Sequence, residues 1–192
     1  RDGTHAQGED VASDSPKKCR GDFDVPRRIG QTRRVKRILI IKPSSLGDIV
    51  HSLPVAAELS RHGYEVHFAA RREYHGLLEM CPAVRRVLAF PGNFLEIPAF
   101  VAELRNDEYD RVIDLQGLLR SALAAAFSRT SLRQGLPDAR EGAVLFYNEI
   151  SPYRKAELHA VDRYRSTLGW AGELGSPEFP LSIPPDAVSE AS

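Results

Sequence analysis

Cysteine is nearly absent from this 192-residue chain, which has only Cys19 and Cys81. The first falls in a polar leader and the second among apolar residues. A disulfide framework is therefore not expected, and a reducing, cytoplasmic setting is. Long apolar runs are also missing. No stretch approaches the ~20 residues of a membrane-spanning helix, and no secretory-type apolar segment precedes the first strand. Excess charge of either sign is missing too. Lys+Arg and Asp+Glu both count 26, so nucleic acid is not expected as a partner. No internal repeat is present.

The apolar pattern divides the chain. Residues 1–35 are rich in Gly, Asp, Ser, Arg and Lys and read as a disordered leader. The sequence opens on Arg1 rather than Met, so this leader carries little weight. From Arg37 the pattern changes. Arg37–Pro43 is a β-branched run, as expected for a strand buried on both faces. A helix opening at Gly47 and Asp48 follows and ends near Gly63, with Pro54 bending it or sitting in its first turns. Strands are expected at Glu65–Ala70, Val84–Phe90, Asp110–Leu115 and Ser131–Gly135. Helices are expected at Arg72–Cys81, Leu95–Asn106, Gly117–Ser128 and Ala156–Leu168. Strands alternating with helices of ~10–15 residues imply α/β architecture, a Rossmann-like parallel sheet with helices on both faces. One domain over residues 36–170 results. Residues 171–192, rich in Gly, Pro and Ser, read as a linker.

Ligands of such sheets bind at the carboxyl ends of the strands, and that is where the candidate residues fall. The first strand ends in Lys42-Pro43-Ser44-Ser45-Leu46-Gly47-Asp48. Ser44, Ser45 and Gly47 allow close approach to the backbone, and free N–H groups at a helix start favour an anion. Asp48 is stabilised as a carboxylate there by the helix dipole. It is open to two readings, a helix cap or a proton acceptor for a sugar hydroxyl. Asp114 and Gln116, in a second strand–Gly–helix turn, point toward the same crevice, or form a cap and a tight turn. Arg71, Arg72 and His75 follow the second strand and suit an anion, or are solvated surface charge. Arg140-Glu141 is a charged pair before an apolar stretch. His159 and Asp162 share a helical face, where a surface hydrogen bond explains them. Asp22-Phe23-Asp24 has the form of a metal-binding Asp-x-Asp, but no strand precedes it and it reads as chance. The P-loop and Gly-x-Gly-x-x-Gly spacings are both absent.

Several of these segments together resemble glycosyltransferase family 9, in particular its heptosyltransferase I branch. They are Ile40–Pro54, Tyr109–Ser121, Ala139-Arg140-Glu141 with Phe146-Tyr147-Asn148, and His159–Arg163, in that order. The resemblance covers roughly residues 36–185. It implies the N-terminal half of a two-domain enzyme of the GT-B type, which holds the acceptor. It further implies inverting transfer of heptose from ADP-heptose to the 3-deoxy-manno-octulosonic acid of lipid A core, in lipopolysaccharide inner-core synthesis. Asp48 matches the family's general base. Ser44, Ser45, Gly47, Arg71, Arg72, Gln116 and Arg140 would line the acceptor site.

The resemblance implies that ADP-heptose binds a C-terminal domain expected beyond residue 192. No cofactor or metal is expected on this half, which alone would be inactive. A peripheral contact with the cytoplasmic face of the inner membrane follows from a lipid-linked acceptor. Two other readings remain at this stage: a non-catalytic module binding saccharide or lipid A core, and an unrelated nucleotide-binding α/β protein.

Overall fold

The computed structural model describes residues 34–151, 158–169 and 175–182. The expected leader, with Cys19 and Asp22-Phe23-Asp24, lies outside the described residues, as do the expected start of the helix at Ala156 and most of the expected linker. Six strands form one sheet: β1 (Arg37–Ile41), β2 (Glu65–Ala70), β3 (Arg86–Ala89), β4 (Arg111–Asp114), β5 (Arg133–Gly135) and β6 (Glu149–Ile150). Their order is β3-β2-β1-β4-β5-β6 and every neighbouring pair is parallel. The helices are α1 (Leu46–Arg61), α2 (His75–Glu79), α3 (Ile97–Leu104), α4 (Leu119–Phe127) and α5 (Ala160–Arg165).

The expected buried strand is β1, at the centre of the sheet. Ile38 and Ile40 enter one apolar cluster with Ile49 and Leu53 of α1. Leu39 and Ile41 enter a second cluster on the opposite face, with Phe100 and Leu104 of α3 and Ala124 and Ala125 of α4. All four β1 side chains are at most 1% exposed. A period-2 chain that is apolar at every position can bury both faces only between two helix layers. That fixes β1 in the middle.

Two expectations need correction, and one element was not foreseen. Pro54 lies in the middle of α1, which runs through it, and not in its first turns. The second helix is broken into a 3₁₀ turn at Arg72–Tyr74 followed by the short α2. The apolar run Ala143–Phe146 is a 3₁₀ turn that leads into β6, a strand of two residues with no readable periodicity. Pro98 sits in the first turn of α3, where its missing N–H costs no intrahelical bond. Cys81 is a buried free thiol.

Residues 175–182 form no helix or strand but lie against the domain. Glu178 pairs with Arg61 (3.3 Å) and the Ser182 N–H donates to the Met80 carbonyl (2.8 Å).

Candidate active site

In a sheet of order 3-2-1-4-5-6, the chain leaves β1 toward one edge and β4 toward the other, so a crevice opens between their carboxyl ends. A cleft of about 770 Å³ lies there. Its walls include Lys42 after β1, Asp48 in the first turn of α1, Gln116 and Gly117 after β4, Asp138 and Arg140 beyond β5, and His159, Arg163 and Tyr164 of the α5 region.

Asp48 is the third residue of α1, and the cap position is held by Ser45. The carboxylate nonetheless serves the helix start, because the Ser45 backbone N–H and hydroxyl both reach it, the hydroxyl at 3.4 Å. Lys42 Nζ lies 3.1 Å from Asp48 Oδ2 and donates to Gln116 Oε1 at 3.3 Å. The Tyr164 hydroxyl donates to Asp48 Oδ1 at 3.2 Å. Asp48 is thus clamped from β1 and from α5, with part of its side chain left open to the cleft (40% exposed).

Burial pushes the Asp48 carboxyl up, but the Lys42 ammonium, by charge and hydrogen bond, outweighs it and holds the group below the ordinary carboxylate range. Lys42 is itself lowered, because burial at 4% side-chain exposure outweighs the attraction of Asp48. Burial and the neighbouring Asp48 charge push Tyr164 up to about 12, so it remains a proton donor at neutral pH. The arrangement is an ionised carboxylate facing a cleft, flanked by two donors.

In the second turn the two readings divide between the two residues. Asp114 is fully buried and turned inward. Its Oδ1 accepts the Gln116 and Gly117 N–H groups (2.8 and 3.1 Å), and its Oδ2 accepts the Tyr147 hydroxyl (2.6 Å). It shapes the turn and does not line the crevice, whereas Gln116 does. Gly117 has φ +68°, and a Cβ there would press on the Ala139 backbone at 3.2 Å.

The other sequence candidates separate. Arg140 lines the cleft, while the Glu141 carboxylate accepts the Leu119 N–H at 3.2 Å. Ser44 and Ser45 occupy the β1–α1 loop, Gly47 is in the first turn of α1, and Arg71 and Arg72 follow the adjacent β2; none of the five lines the cleft itself. The Arg71 Nε is buried with no hydrogen-bond partner. His75 turns back to the Ala70 carbonyl (3.2 Å) and leaves the Arg71/Arg72 group. His159 caps α5 and stacks edge-on against His51 (5.6 Å), while Asp162 pairs with Arg165, so no shared His159–Asp162 bond is needed.

Sequence reading missed Lys42, Asp138, Arg163 and Tyr164 as members of the site. Arg163 donates to both oxygens of Asp138 (2.8 and 2.7 Å). The one available signal was a lysine at the end of a strand buried on both faces. Among the described residues no group of three or more His, Cys, Asp or Glu side chains is placed to hold a metal ion. No helix there is long and apolar enough to cross a membrane.

The model of glycosyltransferase family 9 (heptosyltransferase) matches residues 97–185. Lipopolysaccharide heptosyltransferase 1 of Pseudomonas aeruginosa is 32% identical, over 74% of this chain and 44% of that protein. The structure of E. coli heptosyltransferase WaaC with ADP superposes with a TM-score of 0.64 at 30% identity, covering 74% of this chain and 48% of that one. Its complex with ADP-2-deoxy-2-fluoro heptose gives 0.63 at 30% identity and 50% coverage of that chain. The chain spans about half the length of the relatives it matches. A six-stranded parallel sheet with helices on both faces and a charged crevice at its switch point is a Rossmann-like fold of the GT-B glycosyltransferase type. Within that class, the chain belongs to glycosyltransferase family 9.

Proposed function

We propose that this chain is the acceptor-holding half of an inverting heptosyltransferase. The acceptor hydroxyl, on the 3-deoxy-manno-octulosonic acid of lipid A core, attacks the anomeric carbon of ADP-heptose. The C–O bond to heptose forms as the bond to ADP breaks on the opposite face, and the hydroxyl proton passes to Asp48. The donor is brought by a second domain facing the cleft. The protein would then work in the cytoplasm, meeting its lipid-linked acceptor at the inner membrane surface.

One observation carries this reading: a partly exposed, ionised Asp48 fixed at the cleft wall by Lys42 and Tyr164. A carboxylate held below its ordinary pKa is a weak base in the ground state. It becomes an adequate one late in the reaction, because the attacking hydroxyl grows acidic as its bond to carbon forms. Lys42 and Tyr164 also aim the carboxylate, and such fixed geometry is a large part of catalysis between two bound reactants. Arg140, with Arg71 and Arg72 at the neighbouring strand end, suits the carboxylates and phosphates of the acceptor.

The test uses an enzyme in which this chain is joined to a donor-binding half. Asp48→Asn is expected to lower kcat by ~10²–10⁴-fold, the size of a general-base contribution, with acceptor KM little changed. Turnover near wild type would refute the assignment.

A further inference from the structure

A second concavity, of about 350 Å³, lies at the same end of the sheet, between α3 and α4 on the face opposite α1. Phe90, Phe94, Ile97, Phe100, Leu123 and Phe127 line it, and Arg120 is the one charged side chain in its lining. Phe94 and Leu95 protrude at 89% and 91% exposure, and Phe127 is half exposed. The loop that carries them is fastened in place. Asn93 Oδ1 accepts the Leu95 N–H (3.0 Å), and Glu96 accepts the Gly92 N–H (2.8 Å) and the Asn93 amide (2.9 Å). Two adjacent large apolar residues held outward on a fixed loop, beside an apolar hollow, mark a surface built to be covered.

We propose that this hollow binds one acyl chain of an anionic amphiphile, with Arg120 pairing with its head group. Charge and position select this occupant. The Arg120 guanidinium sits 6.0 Å from the Phe90 ring centroid in the lining of the hollow. Among the described residues no carboxylate is paired with it. Glu96, the nearest acid in sequence to the protruding pair, is already bound within its own loop.

Position is the second ground. The hollow and the acceptor crevice both open at the carboxyl end of the sheet, on its two opposite faces. The inference deepens the proposed function in this respect, but its test uses no sugar, so the two can fail separately.

The 192-residue chain is titrated with monomeric dodecyl phosphate below its micellar concentration, in parallel with dodecyltrimethylammonium and with inorganic phosphate. Saturable one-to-one binding of dodecyl phosphate is expected, with amide shifts concentrated at 90–97 and 120–127 and neither control binding there. Arg120→Glu is expected to weaken it by about tenfold or more, the loss of one charge-assisted contact. Leu123→Glu is expected to abolish it, and Phe94→Ser, at a side chain that supports no core, gives the same direction if Leu123→Glu does not fold. Absence of saturable binding, or binding unchanged in these variants, overturns the proposal. Two other outcomes also overturn it. Flotation with anionic vesicles without binding of the monomeric amphiphile would assign the patch to a bilayer surface. Self-association lost in Phe94→Ser would assign it to a second copy of this chain.

Discussion

At the scale of single residues, the behaviour of Asp48 is set by Lys42. The two lie only six residues apart, yet their contact exists because β1 buries the lysine stem and α1 turns the carboxylate back over it. The folded pKa of Asp48 is lowered. Its contribution to stability is therefore fully present above the ordinary carboxylate value of about 3.9 and is lost as pH falls through the lowered folded value. Lys42→Met removes the charge that causes this. The Asp48 midpoint, followed by carboxyl ¹³C shifts on this chain, is expected to rise, since burial is then opposed only by the hydrogen bonds from Ser45 and Tyr164. Acid unfolding should correspondingly show less dependence on pH below about 4. Stability at neutral pH should change little, because Lys42 no longer bears its own burial cost. An unmoved midpoint would mean that Ser45 and Tyr164, not Lys42, hold Asp48 ionised.

At the scale of elements, the β4–α4 turn depends on one buried acid. Asp114 satisfies two backbone N–H groups and the Tyr147 hydroxyl at once. The Tyr147 ring is seated against Gly135 of β5, where any Cβ would overlap it. Burial raises the Asp114 pKa, although every one of its hydrogen bonds pulls the other way. Asp114→Ala leaves three buried donors unpaired and is expected to cost roughly 2–5 kcal/mol in chemical denaturation. Asp114→Asn keeps an acceptor for the turn, and its amide can meet the Tyr147 oxygen, so it should stay within about 1 kcal/mol of wild type. The pH trend separates them further. With the folded pKa raised, the unfolded chain ionises first, so the wild type loses stability as pH rises from about 3.9 toward the folded value. Asp114→Asn lacks that loss, and the gap between the two proteins should shift in the variant's favour over this range. A constant gap would mean that Asp114 is not protonated in the fold at any pH in the window.

Neighbouring elements show how legible the fold was locally. The strands and helices around β1 follow from apolar period and from start signals within a few residues, and their positions agree with the sequence reading to within a few residues. β6 escaped because two residues carry no period. It is held by Arg111, which bridges Gln134 (3.0 Å) and Glu149 (3.3 Å) across three strands. Such a buried charged link is specified by strand order, which no local window contains.

At the scale of the whole molecule, charged side chains from several elements meet at one cleft, and the proposed function makes it an acceptor site. Calorimetric titration of this chain with ADP-heptose and with a soluble lipid A core acceptor is expected to give acceptor binding without donor binding. Donor binding would instead assign nucleotide recognition to this domain and overturn its role as the acceptor half.

The sequence by itself determined the alternation of strands and helices, the central place of a strand apolar on both faces, and the position of Asp48 in a helix's first turn. Each depends on spacing or on chemistry within one turn or one strand, so each is written locally. The tertiary structure alone decided what Asp48 is bound to and which candidates share its cleft. Tyr164 reaches it from 116 residues away, and Gln116 meets Lys42 across 74. Asp114, adjacent to Gln116 in pattern, is turned away from the cleft by Tyr147. These pairings are consequences of β4 lying beside β1 and of α5 packing on α1, and they exist only once the sheet order is set.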